Sequence, residues 1–338
     1  MAVLGLDIGG ANIKLATSEG FAQSQYFPLW QQKGELTETL KQLRADAPVF
    51  DRVAVTMTGE LADCFGSKSE GVRFILSSVA EAFDQCPTLV YTTGEPSFVD
   101  LATAQQRPME VAAANWHALG QFATRYFGKR NGLLLDIGST TTDVIPIVNG
   151  SVATNSRSDT DRLLAGELIY LGVERTPICG VTDTVTLRGQ ECPVANEWFA
   201  SMLDVYLVLG LIDEQPEYRL TCDGRPATRE FAKTRLARMV CADADELTWT
   251  EVNVMARQLN QICLRKIAGR IEKVVANMEV PVELTLISGH GEYLAESSLD
   301  AAGVWTHRDY FNDLAGRHAS RAAPAYAVAV LAEELAVV

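Results

Sequence analysis

Basic charge is what this chain has little of. Its 338 residues carry 29 Lys and Arg against 43 Asp and Glu, a formal charge of −14. A surface this acidic repels nucleic acid and anionic lipid, so neither is an expected partner. It also repels phosphorylated ligands unless a cation screens them, since two like charges about 4 Å apart interact by roughly 4 kcal/mol at intermediate dielectric. An anion site here therefore calls for Mg²⁺, a lysine or an arginine. Histidine is scarce, with 4 in all, and the 7 cysteines include no CxxC pair. That disfavours a zinc centre or a redox dithiol and fits a reducing, cytoplasmic setting. No apolar run reaches membrane-spanning length, and "MAVLGLDIGG" opens without a basic leader. What remains is a globular composition, 47% hydrophobic, long enough for two domains.

Two segments carry unusual chemistry. "VLGLDIGGANIKLA" and "LLLDIGSTTTDVIPI" each run from an apolar strand through Asp-Ile-Gly and small or hydroxylic residues into a second strand. Asp136 lies 129 residues after Asp7, and the alignment sets Gly9 on Gly138, Gly10 on Ser139, Asn12 on Thr141 and Lys14 on Asp143. One recurrence half a chain apart reads as two related halves. A glycine-containing strand–turn–strand tip exposes backbone N–H groups, which cradle phosphate oxygens. Ser139, Thr140, Thr141 and Thr142 add hydroxyl donors. Side-chain alternation puts Asn12 and Lys14 on one face of the returning strand. Asp7 and Asp136, at the strand ends, suit Mg²⁺, which takes few carboxylates and keeps its waters. Two such tips facing each other would grip a di- or triphosphate. Neither segment fits GxxxxGK(S/T) or GxGxxG, which sets aside P-loop and Rossmann sites.

Along the chain, strands are expected at 2–8, 12–18, 22–28, 52–59 and 88–93. Helices are expected at 34–46, 70–85 and 109–128, an α/β alternation. From about Thr186 to Met278 the character turns helical. In "EVNVMARQLNQICLRKIAGRIEKVVANM", Val252, Met255, Leu259, Ile262, Ile267, Ile271, Val274 and Met278 recur at helical spacing and read as core. "VELTLISGHG" returns to a strand with a glycine-rich end, and "APAYAVAVLAEELAVV" closes as an apolar helix. Other polar candidates cluster in three places. "TGELADCF" sets Glu60 and Asp63 past a strand end. "AAANW" puts Asn115 in an apolar helix, where a buried amide needs a partner. "SDTDRLLAGELIYLGVERTPICG" interleaves Asp161, Arg162, Glu167, Tyr170 and Arg175 with apolar residues, and either arginine could clamp a phosphate or a carboxylate.

Taken together, "DIGGANIK", "TGELADCF", "VAAANW", "DIGSTTTDVIPI", "TDRLLAGELIYLGVERTP" and "CDGRP" resemble the hydantoinase/oxoprolinase group of the actin-like ATPase superfamily, in its tetrahydromethanopterin-linked one-carbon branch. The resemblance spans nearly the whole chain. It implies a two-lobed α/β fold of the actin-like ATPase (ribonuclease H-like) kind, with a central cleft and a helical insertion in the second lobe. The lobes would be residues 1–128 and 129–322, with a mostly helical region at about 190–279 and helix 323–338 packing back on the first lobe. It further implies a transferase of methanofuran-type cofactor biosynthesis. Such an enzyme joins the diphosphate of 5-(aminomethyl)-3-furanmethanol to the phenol oxygen of γ-glutamyltyramine and releases pyrophosphate. The hairpins would hold the diphosphate, with Mg²⁺ at Asp7 and Asp136 and Lys14 assisting. Asp143, Glu60 or Asp161 would take the phenol proton. Arg162 or Arg175 would hold the glutamyl carboxylate. Asp63, Asn115, Glu167, Tyr170 and Gly289 would complete the substrate site. Gly289 falls in "ISGHG", where the superfamily's adenosine-contacting loop is expected, but His290 stands between its glycines. An ATP-dependent kinase or amidohydrolase, binding a nucleotide, would use the same hairpins, as would a filament-forming or ATP-sensing protein.

Overall fold

A computed structural model describes residues 2–95 and 97–335. Its first sheet is built from β1 (Val3–Ile8), β2 (Asn12–Thr17), β3 (Ala22–Tyr26), β4 (Arg52–Met57), β5 (Thr88–Tyr91) and β6 (Phe98–Asp100). Their order is β3-β2-β1-β4-β5-β6, with β1 antiparallel to β2 and parallel to β4. The second sheet contains β7 (Gly132–Ile137), β8 (Thr142–Val148), β9 (Ser151–Val152) and β10 (Leu168–Ile169). A two-stranded hairpin, β11 (Thr184–Leu187) with β12 (Gln190–Pro193), stands apart. The chain then returns to the second sheet with β13 (Leu284–Gly289) and β14 (His307–Tyr310). The order there is β10-β8-β7-β13-β14, and β7 is again antiparallel to its hairpin partner and parallel to the strand on its other side.

The repeat extends to register. Asp7 pairs with Lys14 across the first hairpin and Asp136 with Asp143 across the second. Apart from Asp7 and Asp136 near their ends, both central strands are apolar, as expected for strands covered on both faces. Val3, Leu4, Leu6 and Ile8 in β1 and Leu133, Leu134, Leu135 and Ile137 in β7 are fully shielded from solvent. Burying each such side chain contributes about 1.5–3 kcal/mol.

Two helices join the halves. Helix Asn115–Phe127 packs on β8 and β9 of the second sheet, and helix Ala323–Leu335 packs on β1, β2 and β4 of the first. They also pack on each other. The last three positions of the expected closing helix 323–338 lie outside the described residues. Gly5 lets that helix approach, because a Cβ there would lie 1.9 Å from the Ala325 carbonyl oxygen.

The structure corrects three local expectations. The helix expected at 109–128 is two, Pro108–Val111 and Asn115–Phe127, broken where Ala113 takes a left-handed φ of 49°. The 190–279 region is less helical than its composition implies. It contains helices Met202–Leu209, Arg229–Arg238 and Trp249–Met278, and it begins inside the β11–β12 hairpin. That hairpin turns through Arg188 and Gly189, both at positive φ, as a tight primed turn needs. In the long helix Ala256, Cys263 and Leu264 share the buried stripe, whereas Ile262 and Met278 are only half-buried. The helix starts on a capping box in which Thr248 and Glu251 exchange hydrogen bonds. The loop around "CDGRP" is tied down by Asp223, which accepts from the buried Arg235 guanidinium at 3.0 Å. Arg235 also reaches Asp204 at 2.7 Å. No helix among the described residues is long and apolar enough to cross a membrane.

The Gly5 contact is testable. Gly5→Ala should lower stability by roughly 1–3 kcal/mol through overpacking. Gly10→Ala, where an added Cβ meets nothing within 4 Å, should stay within about 0.5 kcal/mol. Denaturant midpoints of the two variants check the contrast.

Candidate functional site: a cleft between two hairpin tips

Each hairpin closes with one hydrogen bond. The Gly9 amide donates to the Asn12 carbonyl and the Gly138 amide to the Thr141 carbonyl, both at 2.9 Å. The outward carbonyls of the tips are then taken by flanking chain. Leu29 N–H donates to Gly10 O at 3.0 Å and Phe27 N–H to Ala11 O at 2.9 Å. On the other side Glu174 and Arg175 N–H both donate to Ser139 O, at 3.0 and 2.9 Å. Gly172 presses against the second tip so closely that a Cβ would lie 2.6 Å from its backbone. With the tip carbonyls occupied, a phosphate meets backbone donors rather than repelling acceptors.

The tips face one another across a cavity of about 450 Å³. It is lined by Asp7, Gly9, Gly10, Asn12 and Lys14 from one side and by Asp136, Gly138, Ser139, Thr140, Thr141 and Asp143 from the other. Asp63, Asn115, Arg162, Tyr170 and Arg175 also reach its wall. Most of the residues singled out from sequence are thus brought together.

Five are not in that wall. Thr142 is buried and its hydroxyl donates to Leu171 O at 2.7 Å, so it braces the hairpin instead of facing a ligand. Asp161 is exposed and accepts from Ser158 Oγ at 2.8 Å and Arg157 N–H at 3.2 Å, an N-terminal helix cap. Glu167 accepts from Thr154 Oγ1 at 2.6 Å and is buried. Gly289, at φ 92°, lies under the second hairpin, where a Cβ would come 2.3 Å from Ile137 O. Glu60 is 1% exposed and sits behind the wall. Arg162, though it touches the cavity, is 2% exposed and committed elsewhere. It donates to Asp143 Oδ1 at 2.6 Å and to Glu167 O at 3.1 Å, and its guanidinium stacks 4.2 Å from the Trp116 ring. It therefore holds Asp143 and is not a free clamp for a substrate carboxylate. Asn115 uses its Oδ1 to accept from Trp116 N–H at 2.7 Å.

Three wall or near-wall residues, Trp30, Asp159 and Lys68, escaped the sequence reading. Trp30, just after the segment bracing the first tip, lies 4.9 Å from the guanidinium carbon of Arg175, just after the segment bracing the second. The two stack across the mouth of the cleft. Asp159 lines the cavity and meets Lys68 from the opposite lobe at 3.4 Å. Nothing in "FPLWQQ" marks Trp30. Asp159 was readable: Ser158 and Asp161 form the S-x-x-D of a helix start, which assigns Asp161 to capping and leaves Asp159 as the carboxylate free for other work.

The electrostatics are those of a crowded acidic site. Burial raises Asp7 above the usual carboxylate range, partly offset by Lys14, whose ammonium lies 3.9 Å from Oδ2. Asp136 is pushed up to about 6, by burial and then by the charge of Asp143. Asp143 is raised by burial against the opposing pull of Arg162. Glu60 is pushed up to about 8 by burial, which the nearby amides of Glu60 and Ala113 offset only in part. Neither Glu60 oxygen forms a well-directed hydrogen bond.

Asp7 Oδ1 and Asp136 Oδ1 are buried without a partner. Among the described residues no three acidic, His or Cys side chains enclose a metal ion. Two carboxylates that line one cavity and each keep an unpartnered oxygen suit Mg²⁺ completed by a ligand's phosphates and by water better than a cation caged by protein alone.

Comparison with known proteins supplies the context. The Hydantoinase/oxoprolinase family model matches residues 51–334. The chain is 33% identical over 335 residues to the (4-{4-[2-(gamma-L-glutamylamino)ethyl]phenoxymethyl}furan-2-yl)methanamine synthase of Methanocaldococcus jannaschii, covering 98% of each chain. It is 31% identical over 207 residues to the synthase of the same name from Methanococcus vannielii, covering 60% of this chain and 90% of that one. Among solved structures, a ROK family protein from Streptococcus pneumoniae in complex with sucrose covers 99% of this chain and 100% of its own, at 14% identity and a TM-score of 0.44.

Two outcomes follow from the geometry. Arg175 lines the cavity with its guanidinium held only by the Trp30 ring among the described contacts. Arg175→Met should weaken binding of inorganic pyrophosphate by roughly tenfold or more, as loss of a charged hydrogen bond would. Isothermal calorimetry in the presence of Mg²⁺ measures it. Glu60 gives a pH signature. Its value rises from 4.5 to about 8 on folding, so folding favours the acid form. That contribution is full below about pH 4.5 and is lost as pH rises through about 8, at up to about 1.4 kcal/mol per pH unit. Glu60→Gln should flatten this decline when denaturant midpoints are compared between about pH 5 and 8.

Proposed function

The chain belongs to the hydantoinase/oxoprolinase family, and on that premise we propose that it is a transferase of methanofuran-type cofactor biosynthesis. It would join a furfuryl diphosphate, that of 5-(aminomethyl)-3-furanmethanol, to the phenol oxygen of γ-glutamyltyramine and release pyrophosphate. The observation that carries this reading is the one cavity that both glycine-tipped hairpins line, with apolar and aromatic side chains on part of its wall. Leu61, Ala62, Leu168 and Tyr170 form that part of the wall. The full-length relative from Methanocaldococcus jannaschii bears the name of the enzyme that makes this phenoxymethylfuran product.

In this mechanism the diphosphate lies between the tips, its oxygens on the amides of residues 10–11 and 139–141, since the Gly9 and Gly138 amides close the hairpins, and on the hydroxyls of Ser139, Thr140 and Thr141. Lys14 and Arg175 supply positive charge, and the Trp30 ring keeps Arg175 oriented over the mouth. Mg²⁺ held by Asp7 and Asp136 would supply further charge neutralisation for the leaving group. The C–O bond to the diphosphate breaks with its electron pair going to pyrophosphate, and the furan ring shares the positive charge on its CH₂. The phenol oxygen attacks that carbon. Each well-placed donor to the developing anion is worth about 3–4 kcal/mol, so a set of fixed amides and cations accounts for a large part of the barrier reduction. The acceptor's carboxylate would have to find a partner other than Arg162, which Asp143 already occupies.

One assay separates this reading from a nucleotide-dependent one. With Mg²⁺, the furfuryl diphosphate and γ-glutamyltyramine, the protein should liberate pyrophosphate. With Mg²⁺ and ATP it should liberate neither ADP nor phosphate, and the reverse pattern would favour an ATP-dependent kinase or amidohydrolase. Asp7→Asn and Asp136→Asn should each reduce turnover by at least about 100-fold, the scale of a lost electrostatic contact, with unchanged circular dichroism. Turnover near wild type in both would remove the metal-binding role.

A further inference from the structure

The proton on the phenol must go somewhere, and the three carboxylates singled out from sequence are poor acceptors. Asp143 is locked to Arg162 at 2.6 Å. Asp161 is spent on capping its helix, away from the cavity. Glu60 is buried behind the wall and, pushed up to about 8, is a neutral acid at physiological pH.

Asp159 has what they lack. It lines the cavity, its side chain is 16% exposed, and its one ion pair is with Lys68, which reaches over from the opposite lobe at 3.4 Å. The charged and titratable groups around it are Lys68, Glu60 from the segment after β4, Asp143 from β8 and Tyr170 beyond β10. Tyr170 is half-exposed on the same wall, so an aromatic acceptor entering there passes beside Asp159.

We propose that Asp159 is the catalytic proton acceptor for the phenol, held in place by Lys68 so that the acceptor subsite is complete only when the two lobes are closed. The inference rests on the transferase reading. The phenol O–H bond breaks and its proton passes to the Asp159 carboxylate. The phenol oxygen's electron pair forms the new bond to the furfuryl carbon, and the old C–O pair leaves with pyrophosphate. Charge balances: Asp159 becomes neutral as the diphosphate departs with its extra negative charge. Glu60, already protonated, lends no competing negative charge next to the pair.

A spectroscopic test reads Asp159 without turnover. The probe is nitrated γ-glutamyltyramine, whose nitrophenol absorbs in the visible only when ionised. Bound to the wild-type protein with Mg²⁺ and inorganic pyrophosphate, it should ionise at higher pH than when bound to Asp159→Asn. The neighbouring carboxylate opposes phenolate formation, and the difference should be roughly one pH unit. Lys68→Met should move the midpoint further up. Steady-state kinetics add a second readout. Asp159→Asn should lose about 100-fold or more in kcat with the KM for the diphosphate unchanged and pyrophosphate binding intact. The more acidic nitrated acceptor should recover part of that loss, whereas a structural lesion would slow both acceptors alike. Equal probe midpoints in wild type and Asp159→Asn, or a wild-type protein that does not bind the probe, would overturn the proposal. A wild-type protein that binds the probe with the expected shift but never yields pyrophosphate would instead refute the transferase reading, and with it the catalytic role, leaving only the placement of Asp159 beside a bound phenol.

Discussion

In both halves of the molecule a glycine amide bonds to the carbonyl three residues on, at 2.9 Å, and this closure decides what the rest of the cleft can offer. It fixes the register in which Asp7 stands opposite Lys14 and Asp136 opposite Asp143. A shift of one residue would turn these side chains into the sheets and the apolar ones into the cavity. The flanking segments then consume the tip carbonyls, through Phe27 and Leu29 on one side and Glu174 and Arg175 on the other. What is left exposed is a set of donors. The same two braces carry Trp30 and Arg175 to the mouth, so the architecture of the tips and the closure over them have one origin.

Charge explains the division of labour among the wall residues. Asp7, Asp136, Asp143 and Asp159 share one cavity, with Glu60 behind it. So many carboxylates in poor contact with water cannot all be ionised without compensation. The protein answers differently at each. Lys14 sits near Asp7, Arg162 is bonded to Asp143, Lys68 faces Asp159, and Glu60 takes up a proton. Removing Arg162 would strand a buried charge, a change worth about 3–5 kcal/mol in comparable pairs, so its role is structural before it is chemical. Asp7 and Asp136 alone retain buried oxygens without a partner among these cavity carboxylates. The uncompensated part of the site is thus the part beside the hairpin tips, where a ligand carrying its own cation would complete it.

The two hairpins and the α/β alternation were legible because each rests on a local pattern, whereas the return of the final helix was implied only by the family resemblance. Apolar runs mark covered strands, and Asp-Ile-Gly repeats at matching positions. The site was legible as far as those patterns reached, from Asp7 to Lys14 and from Asp136 to Asp143. It failed where a role depends on partners distant in sequence. Glu167 and Thr142 look like ligand-facing polar residues until their bonds to Thr154 and Leu171 are seen. The "AAAN" run has strong helix propensity, yet Ala113 leaves the helix at φ 49° and turns its amide toward Glu60. A left-handed alanine costs about 1–2 kcal/mol, which tertiary packing overrides. Trp30 has no local signal at all, since its meaning comes from an arginine 145 residues away.

The contacts that span the cleft differ in kind from those that build it. Helices Asn115–Phe127 and Ala323–Leu335 pack on opposite sheets and on each other, and Gly5 seats the second helix against β1 without space to spare. That junction is close-packed and largely apolar, with Arg125 and Glu334 paired at 2.9 Å between the two helices, and it resists sliding. Across the open side, by contrast, stand a cation–π contact and an ion pair, both partly exposed. Such contacts contribute about 0.5–1 kcal/mol and about 0–1 kcal/mol. Together they amount to at most about 2 kcal/mol, so the helix junction is the main tie between the halves. A polyanion that touched both tips at once, as proposed, would favour this arrangement over one in which the tips part.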